Sequence, residues 1–361
     1  MNIRLLLIIW ALFVAQFSFA VTVPNLYRAE IVLPLISSEK AVINKAYELA
    51  IEEVLVKVSG DVDAVQKVLS LAKKNASKWV AQHAINDEQD LLELDNGIFP
   101  AKKVVVNFYP QSIDDFLFEQ NLPVWGSNRP SVLLWVIEQN GFERTVAGVE
   151  SPSIMLNEIA QNALVKGLSI YAPLQDELDR SSLSSPDLWG LFEDPIVEAS
   201  QRYQTDVISV FKVTELSNGY EGTLMLLLPT EAPIRLYLKG KDQENIAMKV
   251  NQSIAKILSE RYAAIKSTGN DLLVLLQVSN ISNHEILDTI QEYLARLGVV
   301  NDVYLTGIQA DTAYFTVSLD GDVIKMTNAI NLDSIIVKVA ANPLDLDKKN
   351  VQTYKYNGTK Q

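Results

Sequence analysis

The chain has 361 residues, 48% hydrophobic and 21% charged, which is the composition of a packed globular protein and excludes the disordered and membrane-spanning classes. A formal net charge of −13 argues against nucleic acid as a partner, because that binding needs clustered Lys and Arg. Cysteine is absent and histidine occurs only at His83 and His284, so a disulfide framework is excluded and neither a metal nor a cofactor is expected.

Arg4 precedes the apolar run LLLIIWALFVA, and Ser18 and Ala20 occupy the small-residue positions before a cut between Ala20 and Val21. That is the pattern of a secretory signal peptide, and the run is shorter than the ~20 residues a spanning helix needs. Retention of the segment as an anchor is the other reading. Residues 1–20 are expected to be removed and the chain exported to the periplasm, with no transmembrane helix after cleavage. Without a cysteine at the cut, no lipid anchor is expected.

Residues 21–125 read as an N-terminal α/β module. A strand at 27–37 is followed by a helix with Val42, Ala46, Leu49, Ala50, Val54 and Val58 on one face, and Gly60 stands at its stop position. Asp61 or Asp63 can cap a second helix that runs to about Val80, which puts His83 near a helix end. The acidic cluster Asp87, Glu88, Asp90, Glu93 and Asp95 reads as a solvated loop. A strand at 102–109 and a short helix lead into the turn-rich LPVWGSNRP.

Residues 126–268 read as a central α/β domain. SVLLWVIEQ (Ser131 to Gln139) is a near-continuous apolar run, as in a strand covered on both faces. Helices at 153–165 and 192–203, strands at 168–171 and 206–213, and a long loop at 172–190 alternate after it. A hairpin around Gly219 and Gly222, the strand PIRLYLK and a helix over Asp242 to Lys266 complete the domain.

Residues 269–345 read as a ferredoxin-like βαββαβ module. LLVLLQVS is its first strand, and Ser282 with Glu285 forms a capping box before a helix with Ile286, Ile290, Leu294 and Leu297 on its buried stripe. Ala313, Phe315, Val317 and Leu319 alternate with polar residues, and Ser334 to Ala340 is expected to close the sheet. Residues 346–361 have no apolar period and read as a flexible tail. The fold class is therefore α/β (α+β), three successive small mixed α/β modules.

Glycine-rich phosphate loops and the nucleophile elbow are missing from the sequence. The most suggestive polar stretch is YAPLQDELDRSSLSSPDLWGLFEDP, with Asp176, Glu177, Asp179, Glu193 and Asp194 on or beside a loop that follows a strand. Trp125, Arg129, Asp176, Asp179, Trp189 and Arg202 form a candidate recognition patch. The competing reading of the same six is an Arg-to-Asp bridge and buried indoles that hold the middle region together.

VWGSNRPSVLLWV, KGLSIYAPLQDELD, DLWGLF and ASQRYQTDVI, with the early Ala46 to Gly60 element, resemble the successive motifs of the exported domain of unknown function 2066 family. That resemblance implies a Gram-negative envelope location and no reaction. The order of elements in the middle region also resembles the N-terminal domain of the periplasmic translocation protein TolB, which by analogy implies docking. The leading expectation is a periplasmic, non-catalytic interaction or accessory protein with an envelope protein partner. The alternatives are an envelope polysaccharide hydrolase that uses the loop carboxylates and a binder of a small ligand or glycan.

Overall fold

A computed structural model describes residues 21–23, 25–36, 38–94, 97–229, 231–265, 272–333, 335–339 and 351–358. The signal segment 1–20 and the boundary stretch 267–270 lie outside the described residues. The fold is mixed α/β, with three sheets and a two-stranded ladder that joins Val21–Thr22 (β1) to Asn128–Arg129 (β5). Among the described residues no helix is long and apolar enough to cross a membrane.

In the first region Arg28–Pro34 (β2), Val80–Leu94 (β3) and Gly97–Phe108 (β4) form an antiparallel sheet in the order β2-β4-β3. Glu39–Ser59 (α1), Val62–Trp79 (α2) and Pro110–Glu119 (α3) pack with it around Val54, Leu55, Val104, Val106 and Leu117. The Ser38 side chain caps α1 by accepting from the Ala41 N–H, and Asp61 does the same for α2 at Ala64. Gly60 ends α1 at φ 73°, where only glycine fits without strain, and a Cβ there would lie 2.6 Å from Ser259 Cβ. His83 is a strand residue of β3, not a helix end, and its Nδ1 lies 2.9 Å from the Tyr47 hydroxyl. Asp87 and Glu88 lie on β3 as well. Of the acidic stretch expected as a loop, Asp87, Glu88, Asp90 and Glu93 are strand residues on a sheet edge, a position that tolerates charged residues, and Asp95 lies outside the described residues.

The central sheet contains Ser131–Asn140 (β6), Glu143–Ala147 (β7), Ser169–Tyr171 (β8), Val207–Leu216 (β9), Gly219–Leu227 (β10) and Ile234–Gly240 (β11). Its order is β11-β10-β9-β6-β7, with β8 also on β6, and β6 runs parallel to β8 and β9. Val132, Leu134 and Val136 point to one face, where Ile154–Val165 (α4) and Gln243–Tyr262 (α8) pack. Leu133, Trp135 and Ile137 point to the other, under Glu177–Ser182 (α5), Ser185–Gly190 (α6) and Glu193–Ser200 (α7). The expected loop 172–190 thus holds two short helices, each started by an acid or hydroxyl cap, Asp176 and Ser184.

The last sheet contains Leu272–Ser279 (β12), Val300–Gln309 (β13), Thr312–Leu319 (β14), Ile336–Lys338 (β15) and Val351–Tyr356 (β16), covered on one face by His284–Ala295 (α9) and Val323–Asp333 (α10). Asn283, not Ser282, caps α9, by accepting from the Ile286 N–H. The sheet order is β13-β14-β12-β16-β15. β16 lies parallel to β12 and displaces β15 to the edge, which departs from a four-stranded ferredoxin-like unit. The expected flexible tail therefore supplies an interior strand. Tyr354 and Tyr356 alternate inward from it, with Tyr354 fully buried, and two inward residues are too few to show a period in sequence.

A chain ended after residue 350 should lose this sheet's cooperativity, since burial of one aromatic such as Tyr354 stabilises by about 3 kcal/mol. Hydrogen exchange reads it directly. The amides of β12 and β14 should lose protection while β6 and β9 keep theirs, and unchanged protection in β12 would contradict the assignment.

Candidate functional site

The six residues of the sequence-predicted patch fall in three separate places. Trp125 and Arg129 are buried, at 1% and 0% exposure, in the segment 124–129 between the first and central sheets. Among the described residues Arg129 has no carboxylate partner. Its Nη2 donates to the carbonyls of Lys57 (2.7 Å) and Trp125 (2.8 Å), Nε to Gly126 (3.0 Å), and Nη1 to Gly167 (3.0 Å) and Lys166 (3.4 Å). The guanidinium carbon sits 4.1 Å from the centre of the Trp125 ring. Lys57 lies in the last turn of α1 and Lys166 caps α4, so one cation meets the negative ends of two helices. Burial pushes Arg129 down to about 9, which leaves it charged at neutral pH. Gly167, at φ 65°, is required beside it, because a Cβ would lie 2.8 Å from Nη1.

Other bonds converge on the same segment. The Trp125 N–H donates to Val58, Val124 and Ala264 exchange backbone bonds of 2.8 Å, and Asn128 Nδ2 donates to Asp333 Oδ2 at 2.7 Å. Backbone of Gly126 also packs against Gly298, where a Cβ on Gly298 would lie 3.3 Å from Gly126 N. The segment 124–129 thus touches all three regions.

Asp176, Asp179 and Arg202 do come together. Arg202 forms a two-point bridge to Asp176 (2.8 and 2.9 Å) and reaches Asp179 Oδ1 at 3.0 Å. Asp179 Oδ2 accepts from the Gln175 N–H and from the Tyr203 hydroxyl, which also accepts from the Leu174 N–H. Arg202 and the α5 backbone hold Asp176 well below the usual carboxylate range, at about 2, and burial beside Asp179 pushes the Tyr203 phenol up. Gln175 is held at φ 57° by this network. These carboxylates are acceptors for fixed donors and pin the loop 172–176, so they are not arranged to exchange protons with a substrate. The Arg-to-Asp bridge weighed from the sequence exists here, whereas Arg129 is paired with carbonyls. Trp189 is apart from both groups and stacks under Arg144 (4.3 Å) with Lys212 5.4 Å from its ring. Glu193 pairs with Arg235 at 2.7 Å.

Sequence reasoning did not find the outer edge of β3. This strand has 15 residues, its inner side pairs with β4, and among the described residues no strand pairs with its other side. Pairing of β2 with β4 ends at Pro34 and Ala101, whereas β3 and β4 continue to Leu94 and Gly97 beyond a bulge between Asp87 and Leu91. The Leu35 N–H still donates to the Pro100 carbonyl (2.8 Å), so the hairpin projects by about 10 Å for the last three residue pairs. Leu91 and Ile98 on this arm are each 64% exposed.

A family model described as a domain of unknown function, DUF8605, matches residues 20–126. This corrects the resemblance read from the sequence: the matching domain is a different one, and no match to the domain of unknown function 2066 family is found. The motifs quoted for that resemblance lie mostly beyond residue 126, outside the matched span. No curated protein and no solved structure matches the chain.

Arg129→Lys should lower unfolding stability by about 3 kcal/mol in urea, because one ammonium cannot bond five carbonyls that the guanidinium fork reaches. A loss within experimental error would contradict the role given to the fork. A second expectation concerns Asp114, which accepts both of its bonds from the Tyr27 hydroxyl (2.9 and 3.0 Å) and which burial pushes up to about 6. Its folded value lies above its ordinary 3.8, so the folded state binds the proton more tightly and stability falls as pH rises from about 4 to about 6. Asp114→Asn should flatten that segment of the stability curve, with a relative gain on the order of 1 kcal/mol at pH 7 after solvent screening. Parallel curves for the two proteins would contradict it.

Proposed function

We propose that the protein is a non-catalytic interaction or accessory protein of the cell envelope, exported to the periplasm, which binds a protein partner by strand addition along β3. The observation that carries this reading is the 15-residue edge strand, along whose outer side no strand pairs among the described residues. Strands commonly have about 5 or 6 residues, and edge strands are normally kept short or covered because open N–H and C=O groups template another strand. Here the edge is long, and Ala81, Gln82, His83, Ala84 and Asn86 along it are exposed. Strand addition takes its affinity from such main-chain groups and its specificity from side chains at alternate positions.

Charge supports a basic segment as the added strand. Residues 87–95 include five acids, and the chain as a whole carries −13. The polysaccharide-hydrolase reading rested on the loop carboxylates, and Asp176 and Asp179 are engaged by Arg202 instead. Export rests on the sequence pattern before Val21.

A photo-crosslinking residue placed at Ala84 or Leu91 in living cells should capture one protein, and the same residue at Ile324 on α10 should not. Leu91→Lys with Ile98→Lys should reduce that adduct severalfold while the melting temperature holds, since both side chains are exposed. Equal capture from Ile324, or none from β3, would remove the proposal. The captured chain should begin at Val21 by mass.

A further inference from the structure

The face of the central sheet under α4 and α8 changes character at one end. Along β6 the inward series Val132, Leu134, Val136 continues to Glu138, and along β9 the series Phe211, Val213 continues to Glu215. β6 and β9 are parallel, so both glutamates lie at their carboxyl ends. Register puts Thr145 of β7 opposite Glu138 and Tyr220 of β10 opposite Glu215. With Ile154 and Gln243 from the first turns of α4 and α8, these residues line a cavity of 250 Å³. The carboxyl ends of parallel strands are where α/β sheets leave room for ligands.

The charge in this cavity is not balanced from within. The Glu215 carboxylate accepts from the Tyr220 hydroxyl (3.2 Å) and Asn140 Nδ2 (3.2 Å), both neutral donors. The Ser153 hydroxyl bonds Glu138, yet Glu138 Oε1 is buried without a partner. Among the described residues neither glutamate takes part in an ion pair, although Arg144 lies nearby: it is turned to Gln139 and to Trp189 on the opposite face. The N-termini of α4 and α8 each contribute about half a positive charge, set against two carboxyl groups. Asp242, which caps α8, adds a further negative charge near Tyr220. Burial, with Glu215 beside it, pushes Glu138 above the usual carboxylate range, as expected where a counter-charge is missing.

We propose that this cavity is a binding site for an alkylammonium group, as carried by a lysine side chain or a small free amine. The carboxylates would take the ammonium and the rim its methylenes: Ile154, 67% exposed, and Val213 line the cavity. A metal ion fits less well. Among the described residues no three His, Cys, Asp or Glu side chains gather to hold one, and the aliphatic rim gives a hydrated cation nothing. This site lies on the central sheet and is independent of the β3 edge.

The test is calorimetric titration of the full exported chain with Nα-acetyl-lysine methylamide, with 1,5-diaminopentane, with neutral 1-butanol and with calcium. Saturable binding of an amine and none of butanol is expected, and Glu138→Gln or Glu215→Gln should each weaken it about tenfold or more. Both variants should fold, because each removes a repelling charge, and the urea midpoint checks this. Ile154→Ser should weaken amine binding severalfold at an unchanged midpoint. Tighter binding of the lysine derivative points to a partner's side chain, and tighter binding of the diamine to a free amine; either supports the site. Absence of saturable amine binding, equal binding by the glutamate variants, or binding of calcium alone would overturn it.

Discussion

A full positive charge taken out of water costs several kcal/mol unless its field is met, and proteins usually meet it with a carboxylate. Arg129 is met instead by five main-chain oxygens and the face of an indole. Those oxygens belong to the end of α1, the connecting segment 125–126 and the end of α4. Carbonyls at helix ends lack partners within the helix, so the guanidinium satisfies groups that would otherwise be orphaned where two regions press together. The geometry has no slack, because Gly60 and Gly167 are the only residue type that fits their positions against Trp125, Ser259 and Arg129. The relative placement of the first and central sheets follows from that fit.

With the body fixed in this way, polar groups divide into those answered internally and those that are not. Asp176 and Asp179 have fixed donors in Arg202, Tyr203 and backbone N–H groups, and their chemistry ends in holding a loop. Among the described residues, Glu138 and Glu215 have no cation paired with them and no strand pairs with the outer side of β3. Unanswered groups on a rigid frame are where binding free energy is available, because little ordering remains to oppose it.

Much of the fold was legible in the sequence for a local reason. The stop at Gly60, the cap at Asp61, the alternation of Ala313, Phe315, Val317 and Leu319, and the doubly buried β6 each follow from short-range pattern. What escaped depends on partners distant in sequence. β16 is an interior strand only because β12, some 75 residues earlier, accepts it in parallel. β3 reads as polar because it sits at an edge. The candidate patch grouped six residues by polarity and aromaticity, and the fold separates them into three places. Glu138 carried a signal that was available, a charged residue extending the inward series of a buried strand, but its meaning depended on Glu215 arriving beside it from β9.

If segment 124–129 locks the regions into one body, the bonds that close it should open only when the whole protein unfolds. Native-state hydrogen exchange of the Trp125, Val124 and Ala264 amides, which donate to Val58, Ala264 and Val124, measures this directly. Opening free energies equal to that of global unfolding, with the same denaturant dependence, are expected. Exchange of these amides through a low-energy, denaturant-independent opening would show that the regions move separately and that Arg129 does not hold them.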